Sequence, residues 1–188
     1  NLYDKVEEGW LLDNPSLIRV SRILYGRTFI GFVDEVGREV IPCKYVRQNK
    51  YYFQEGLLEV VNEYEKIGFV NKEGIEIIKC QYDKVSEICD NLICVRKEHK
   101  WGLISTNGRE IIPPQYFFLG HMGQGRLIAQ NENYKVGALD YKGNVIIPFI
   151  YYQLGRVTTD NRIEYSKGEG GEHGFLDIDG NVIGHLPI

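Results

Sequence analysis

Short apolar runs alternate with polar, glycine-containing segments along the whole chain, and no window sustains apolar residues at 3.6 spacing. One set of runs comprises Phe29–Val33, Lys66–Val70, Lys100–Ile104, Lys135–Leu139 and Glu172–Leu176. Each is followed across a turn by a second, β-branched run: Glu39–Ile41, Ile75–Ile78, Glu110–Ile112, Val145–Ile147 and Val182–Ile183. Such short runs bounded by turn residues predict β-hairpins. A third, looser apolar stretch precedes the later hairpins at Leu57–Val61, Leu92–Val95, Arg126–Ala129 and Arg162–Tyr165, each followed by a polar loop. The pattern predicts about three strands per unit, no helix, and an all-β fold.

The hairpins share a frame. Glycine pairs six residues apart recur at Gly31/Gly37, Gly68/Gly74, Gly102/Gly108, Gly137/Gly143 and Gly174/Gly180, with leading glycines 37, 34, 35 and 37 residues apart. Self-similarity at such a period marks a repeat architecture. Three residues before each second glycine stands Asp34, Asn71, Ser105, Asp140 or Asp177. Asp, Asn or Ser opening a turn that ends in glycine favours a type I turn, because the short side chain accepts backbone hydrogen bonds and glycine adopts positive φ without a clash. Pro42, Pro113 and Pro148 follow the second run in three units, where Lys79 and His185 stand in the others, and proline is expected at a strand end or edge. Tyr45, Tyr82, Tyr116 and Tyr151 come three residues later and are expected to pack between neighbouring units. The predicted architecture is an array of about five repeats of roughly 35 residues, each a hairpin plus one further strand, curved or ring-like. The alternative is a β-propeller, whose blades are typically longer, about 40–45 residues in WD-type repeats.

The stretch Lys100–Tyr116, KWGLISTNGREIIPPQY, resembles the WG (KWG) repeat of bacterial proteins: Trp-Gly, an aliphatic pair, a turn glycine, an Ile-Ile-Pro strand end and a tyrosine. The other units keep the frame with Ile30, Ile67, Val136 and His173 in place of the tryptophan. The resemblance runs from about Phe29 to Ile188. It implies a β-repeat module, found in surface, secreted and cytoplasmic proteins alike, with no catalytic residues to carry over. Residues 29–188 are therefore assigned to the array and 1–28 to a partial or degenerate N-terminal repeat. Tyr3-Asp4-Lys5-Val6 matches Tyr82-Asp83-Lys84-Val85, with an insertion expected around Asp13–Ser16. That match and the missing initial Met lead us to expect a fragment of a longer protein. A half-unit acting as a terminal cap is the rival reading.

Composition narrows the function classes. A net charge of −4 without a Lys/Arg stripe argues against nucleic acid. No apolar run approaches the roughly 20 residues of a membrane helix. Cys43 and Cys80 hold the same repeat position, and all four cysteines, with Cys89 and Cys94, are expected to act as small apolar residues, a pattern compatible with the cytoplasm. Their spacings and those of the four histidines suit no metal site, and no cofactor is expected. Gly120–Gly125 lacks the following helix of a phosphate loop and reads as a flexible inter-strand loop. Asp177–Gly180 reads as a repeat turn and not as a calcium loop, whose twelfth position here is Ile188.

No nucleophile–base set can be named, so the expectation is a non-catalytic module that binds a protein or peptide through an extended repeat surface. Arg47, Tyr51, Tyr52 and Phe118 are the candidate binding residues: they depart from the frame or lie in the loop-like segment Asn49–Gln54, and aromatic and Arg residues concentrate at hot spots. The alternatives are a glycan-binding envelope module, with exposed aromatics such as Trp10 as stacking platforms, and an enzyme whose site is built from repeat-breaking residues.

Overall fold

The computed structural model describes residues 2–7, 11–47, 50, 52–168 and 171–186. Trp10, Asn49, Tyr51 and Ile188 lie outside the described residues. The chain forms two compact units, Asn1–Asn91 with Thr106–Gly108, and Leu92–Ser105 with Arg109–Ile188.

In the first unit, β1 (Lys5–Glu7), β2 (Ile18–Leu24), β3 (Arg27–Val33) and β4 (Glu39–Tyr45) form a four-stranded antiparallel sheet in chain order. Next come β5 (Leu58–Val61), β6 (Ile67–Val70) and β7 (Glu76–Tyr82), a three-stranded sheet, and the two-residue strand β8 (Lys84–Val85). The second unit holds β9 (Leu92–Lys97), β10 (Lys100–Ser105) and β11 (Glu110–Tyr116), again antiparallel and in order. Two four-stranded sheets follow. One is β12 (Phe118–Gly123), β13 (Arg126–Gln130), β14 (Val136–Asp140) and β15 (Val145–Tyr151). The other is β16 (Gln153–Leu154), β17 (Arg162–Ser166), β18 (His173–Asp177) and β19 (Val182–Leu186).

The full repeat therefore has one strand more than hydropathy predicts. The added strand is only two or three residues long in β1 and β16, too short to show a period. In β12 the strand is longer, and it corrects the loop reading of Gly120–Gly125: strand pairing runs through Gly123, and the turn is confined to Gln124–Gly125. Residues of the N-terminal segment supply β1 and β2, which pair with each other and with β3. The insertion around Asp13 is tied down: the Asp13 carboxylate accepts the Phe53 N–H at 3.1 Å.

Both glycines of the frame have a steric reason. Opposite Gly31 the register jumps, Ile30 facing Tyr45 while Phe32 faces Ile41, so β4 bulges toward the glycine. A Cβ on Gly31 would stand 2.5 Å from the Ile41 carbonyl oxygen and 2.7 Å from the Cys43 nitrogen. Gly68 and Gly102 face the same bulge, at 2.5 Å from the carbonyl oxygens of Ile78 and Ile112. The prolines sit inside these edge strands, at the bulge where the ladder is already interrupted, which refines the expected strand-end position. Cys43 and Cys80 fill the bulge as half-buried free thiols, and Cys94 is fully buried. The second glycine has positive φ and, from Gly74 onward, docks on the preceding sheet. A Cβ on Gly74 would lie 1.8 Å from the Val40 carbonyl oxygen.

The cores lie between consecutive sheets within each unit. Ile30, Phe32, Ile41 and Tyr45 of the first sheet pack with Leu58, Val60 and Val70 of the second. In the second unit one cluster joins Cys94, Leu103 and Ile112 to Leu127 and Leu139, and another joins Ile147 and Tyr151 to Ile163, Tyr165 and Leu176. Burying each such aliphatic side chain contributes about 1.5–3 kcal/mol. The recurrent tyrosines serve this packing: Tyr45, Tyr82 and Tyr151 are buried, and Tyr116 stacks on Phe149 with ring centroids 5.7 Å apart.

Candidate interaction surface

The turn between β5 and β6 carries an exposed aromatic side chain beside concave surface in the first unit. Its sequence is Asn62-Glu63-Tyr64-Glu65-Lys66. The Asn62 side-chain oxygen accepts the N–H groups of Tyr64 and Lys66, each at 3.0 Å, closing a tight Asx-type turn. Glu65 takes a left-handed φ of 58° to complete it. Tyr64 is left at the tip, 74% exposed. A tyrosine held out on a rigid turn has little conformational freedom to lose on binding, so its contact area converts efficiently into affinity.

Two clefts flank this turn. One, about 350 Å³, is lined by Arg27, Thr28, Val46, Glu63 and Glu65. Arg27 donates to the Glu63 carbonyl at 3.2 Å, and Arg47 pairs with the Glu65 carboxylate at 2.8 Å. The Val61 N–H donates to the Arg47 carbonyl at 2.9 Å and the Val46 N–H to the Val61 carbonyl at 2.8 Å, which fixes Arg47 beside β5. The other cleft, about 370 Å³, is lined by Lys44, Tyr45, Asn62, Glu63, Tyr64, Glu76, Lys79 and Cys80. Glu76 organises it, accepting from Lys44 at 3.1 Å, from the Tyr45 hydroxyl at 3.3 Å and from the Cys80 N–H at 3.2 Å. Burial works to raise the Glu76 pKa, but these three bonds outweigh it and hold the carboxyl below its ordinary value. Burial, reinforced by the neighbouring Glu76 charge, raises the Tyr45 hydroxyl. The same two causes push the Cys80 thiol up to about 11. The second cleft thus presents a fixed carboxylate, two lysines and neutral tyrosine and thiol groups at neutral pH.

The sequence-predicted residues separate. Arg47 belongs to the Tyr64 surface. Tyr52 stands at a different place in the first unit, a cavity of about 10 Å³ shared with Lys50, Gln54, Glu59 and Ser86, with the Lys50 ammonium 5.7 Å from its ring. Phe118 opens β12 in the second unit, 47% exposed, its ring lying over Gly120. Neighbouring Phe117 packs against Tyr134 at 5.2 Å and takes the Lys100 ammonium at 3.6 Å from its ring centroid. Tyr51 lies outside the described residues.

Sequence reasoning passed over Tyr64 because the segment before each first glycine reads as a polar loop. The missed signal is the turn-opening Asn, Asn62 or Asn131, at the same distance before its frame glycine. Tyr64 and Tyr134 both fall three or four residues before a frame glycine, behind an Asn that closes the turn, and both are exposed. Among the described residues no group of three or more His, Cys, Asp or Glu side chains could hold a metal ion, and no helix is long and apolar enough to cross a membrane.

The repeated sheets, the glycine–bulge geometry and the Trp101-Gly102 pair define an all-β repeat protein. The profile of the WG containing repeat matches residues 30–64, 67–101, 101–134 and 137–169, and the chain belongs to that family. No curated protein matches it. Among solved structures it is similar to the WD40 beta propeller domain of Doa1, at 13% identity over 92% of this chain and 65% of that one, with a TM-score of 0.36. It is similar to KlHsv2 with loop 6CD replaced by a Gly-Ser linker, at 10% identity over 91% of this chain and 62% of that one, TM-score 0.46. The computationally designed Ika8 protein is similar at 12% identity over 92% of this chain and 56% of that one, TM-score 0.40. The chain thus spans between 56% and 65% of these three proteins' lengths.

Proposed function

We propose that this chain is a non-catalytic binding module whose ligand is a protein or peptide, and that the surface around Tyr64 carries the contact. The observation behind the reading is the exposed Tyr64 on a turn fixed by Asn62, between one cleft lined by Arg27 and Glu65, the latter paired with Arg47, and another lined by Lys44, Tyr45 and Glu76. Tyr and Arg dominate binding hot spots because each combines a large contact area with directional polar atoms. Two flanking clefts offer places for side chains of an extended segment on either side of the tyrosine. The cleft chemistry supports a non-catalytic role: the raised Cys80 pKa keeps that group as a thiol at neutral pH, and a thiol does not attack where a thiolate would.

The test is a selection of displayed random peptides on the purified chain, followed by titration of the winners. The expected result is binding that Tyr64→Ala weakens by about tenfold, or 1.4 kcal/mol, and Arg47→Ala by less, with the unfolding midpoint unmoved. Recovery of no peptide above background, or equal affinity for Tyr64→Ala, overturns the reading.

A further inference from the structure

Building on the peptide reading above, we infer that the ligand binds as an added strand along the outer edge of β7, with an acidic side chain over Lys79. An outer strand presents unpaired backbone N–H and C=O groups, to which a further strand can bond. β4, β7, β11, β15 and β19 are the outer strands of their sheets. Three of them carry proline at the bulge, Pro42, Pro113 and Pro148, and a proline has no N–H to offer an added strand. In β7 that place belongs to Lys79. The pairing is otherwise the same. Ile30, Phe32 and Val33 face Tyr45, Ile41 and Glu39, as Ile67, Phe69 and Val70 face Tyr82, Ile78 and Glu76. A ladder that closes on proline needs no donor at this position, so the Lys79 N–H is surplus to the sheet. In β19 the place is taken by His185, whose ring is held by the Glu172 carboxylate at 2.9 Å.

A receiving cleft lies beside the β7 edge. It is the space of about 370 Å³ lined by Glu76, Lys79 and Cys80 of β7 and by Asn62, Glu63 and Tyr64 of the β5–β6 turn. The backbone of Cys80, next along the bulge, is already engaged. Its N–H donates to the Glu76 carboxylate at 3.2 Å, and its carbonyl accepts the Asn62 amide at 3.5 Å. Charge names the occupant. Glu76 already pairs with Lys44, at 3.1 Å. Lys79 is exposed and forms no ion pair among the described residues, and the same is true of the Glu63 carboxylate. A segment lying along β7 therefore gains most from an acidic side chain at Lys79 and a basic one toward Glu63. Main-chain bonds to such an edge supply affinity, and the side chains that enter the cleft supply selectivity.

Lys79→Pro tests the inference, because it installs at β7 the residue that three sister strands already carry. Peptides selected from a displayed random library on the purified chain are titrated against Lys79→Pro, Lys79→Ala and Tyr64→Ala, and unfolding midpoints are measured beside them. Lys79→Pro should weaken binding about tenfold, the worth of a main-chain bond, with the midpoint unmoved. Lys79→Ala keeps the N–H and loses the ammonium, and should weaken binding about threefold. A second measurement uses the unaltered chain, so it holds even if Lys79→Pro unfolds. Methylating the peptide's backbone nitrogens one at a time should abolish binding at alternate residues only, since alternate residues of an added strand face the edge. Undiminished binding to Lys79→Pro, or tolerance of methylation at every residue, overturns the inference. If Tyr64→Ala still loses affinity in that case, the Tyr64 surface stands and only the strand addition falls. Recovery of no peptide at all overturns both.

Discussion

The turns at Gly37 and Gly74 are built alike, yet they do different work. Each closes on a short side chain, with the glycine N–H bonded to the carbonyl of Asp34 at 2.9 Å or of Asn71 at 3.0 Å. Each glycine has φ near +80°, at 82° and 77°. What differs lies outside the turn. Gly74 presses on the backbone of Val40, whereas Gly37 faces open space. A repeat position can therefore be required twice over, once by its own turn and once by its neighbour, and only the second requirement depends on where the unit stands in the chain.

The substitution that separates these requirements most is Gly74→Ala. It should cost about 3–5 kcal/mol, from about 1–2 for a left-handed alanine and the rest from overpacking against backbone that cannot rotate away. Gly37→Ala should cost only the first part, about 1–2 kcal/mol. Denaturant midpoints of the two variants measure the difference, and equal losses would remove the docking contribution. Next in size is Ile147→Ala, which empties a fully buried position under the Gly180 turn and should cost about 3 kcal/mol. Ile183→Ala, on the exposed strand β19, should stay within about 0.5 kcal/mol in dilute protein.

The smallest effect is electrostatic and distinguishes turns by their first residue. The Arg38 backbone N–H holds the Asp34 carboxyl below its usual range, and the Asn181 side chain does the same for Asp177. Burial opposes the shift at Asp140, but Asn144 and Lys142 outweigh it. A carboxyl depressed in the folded state stabilises the fold above its unfolded pKa, and that stability is lost as pH falls through the folded value. Stability should therefore decline below about pH 4. Asp140→Asn, which copies the Asn71 turn, should flatten that decline, while Asn71→Asp should steepen it. A pH series of thermal midpoints reads both.

Much of this fold was legible because its constraints are local. A turn that needs positive φ selects glycine, and a bulge that brings backbone to 2.5 Å selects a second glycine, so both show in one sequence. Short strands such as β16, with two residues, leave no period to read. The candidate surface was half legible. Arg47 was legible from its place beside the loop-like segment, but its partner Glu65 and the clefts beside Tyr64 depend on strands that only folding brings together. Phe118 departed from the frame and Tyr52 lay in the loop-like segment, and neither of them nor Arg47 lines those clefts.

On the proposed reading, positions that keep the frame carry the fold and exposed positions outside it carry binding. The most direct test is a paired reading of peptide affinity and unfolding midpoint for Tyr64→Ala and Gly74→Ala. The expected pattern is a tyrosine variant with normal stability and affinity lowered about tenfold, and a glycine variant with a depressed midpoint that still binds at temperatures where it is folded. A tyrosine variant that binds as well as the unaltered chain would contradict the account.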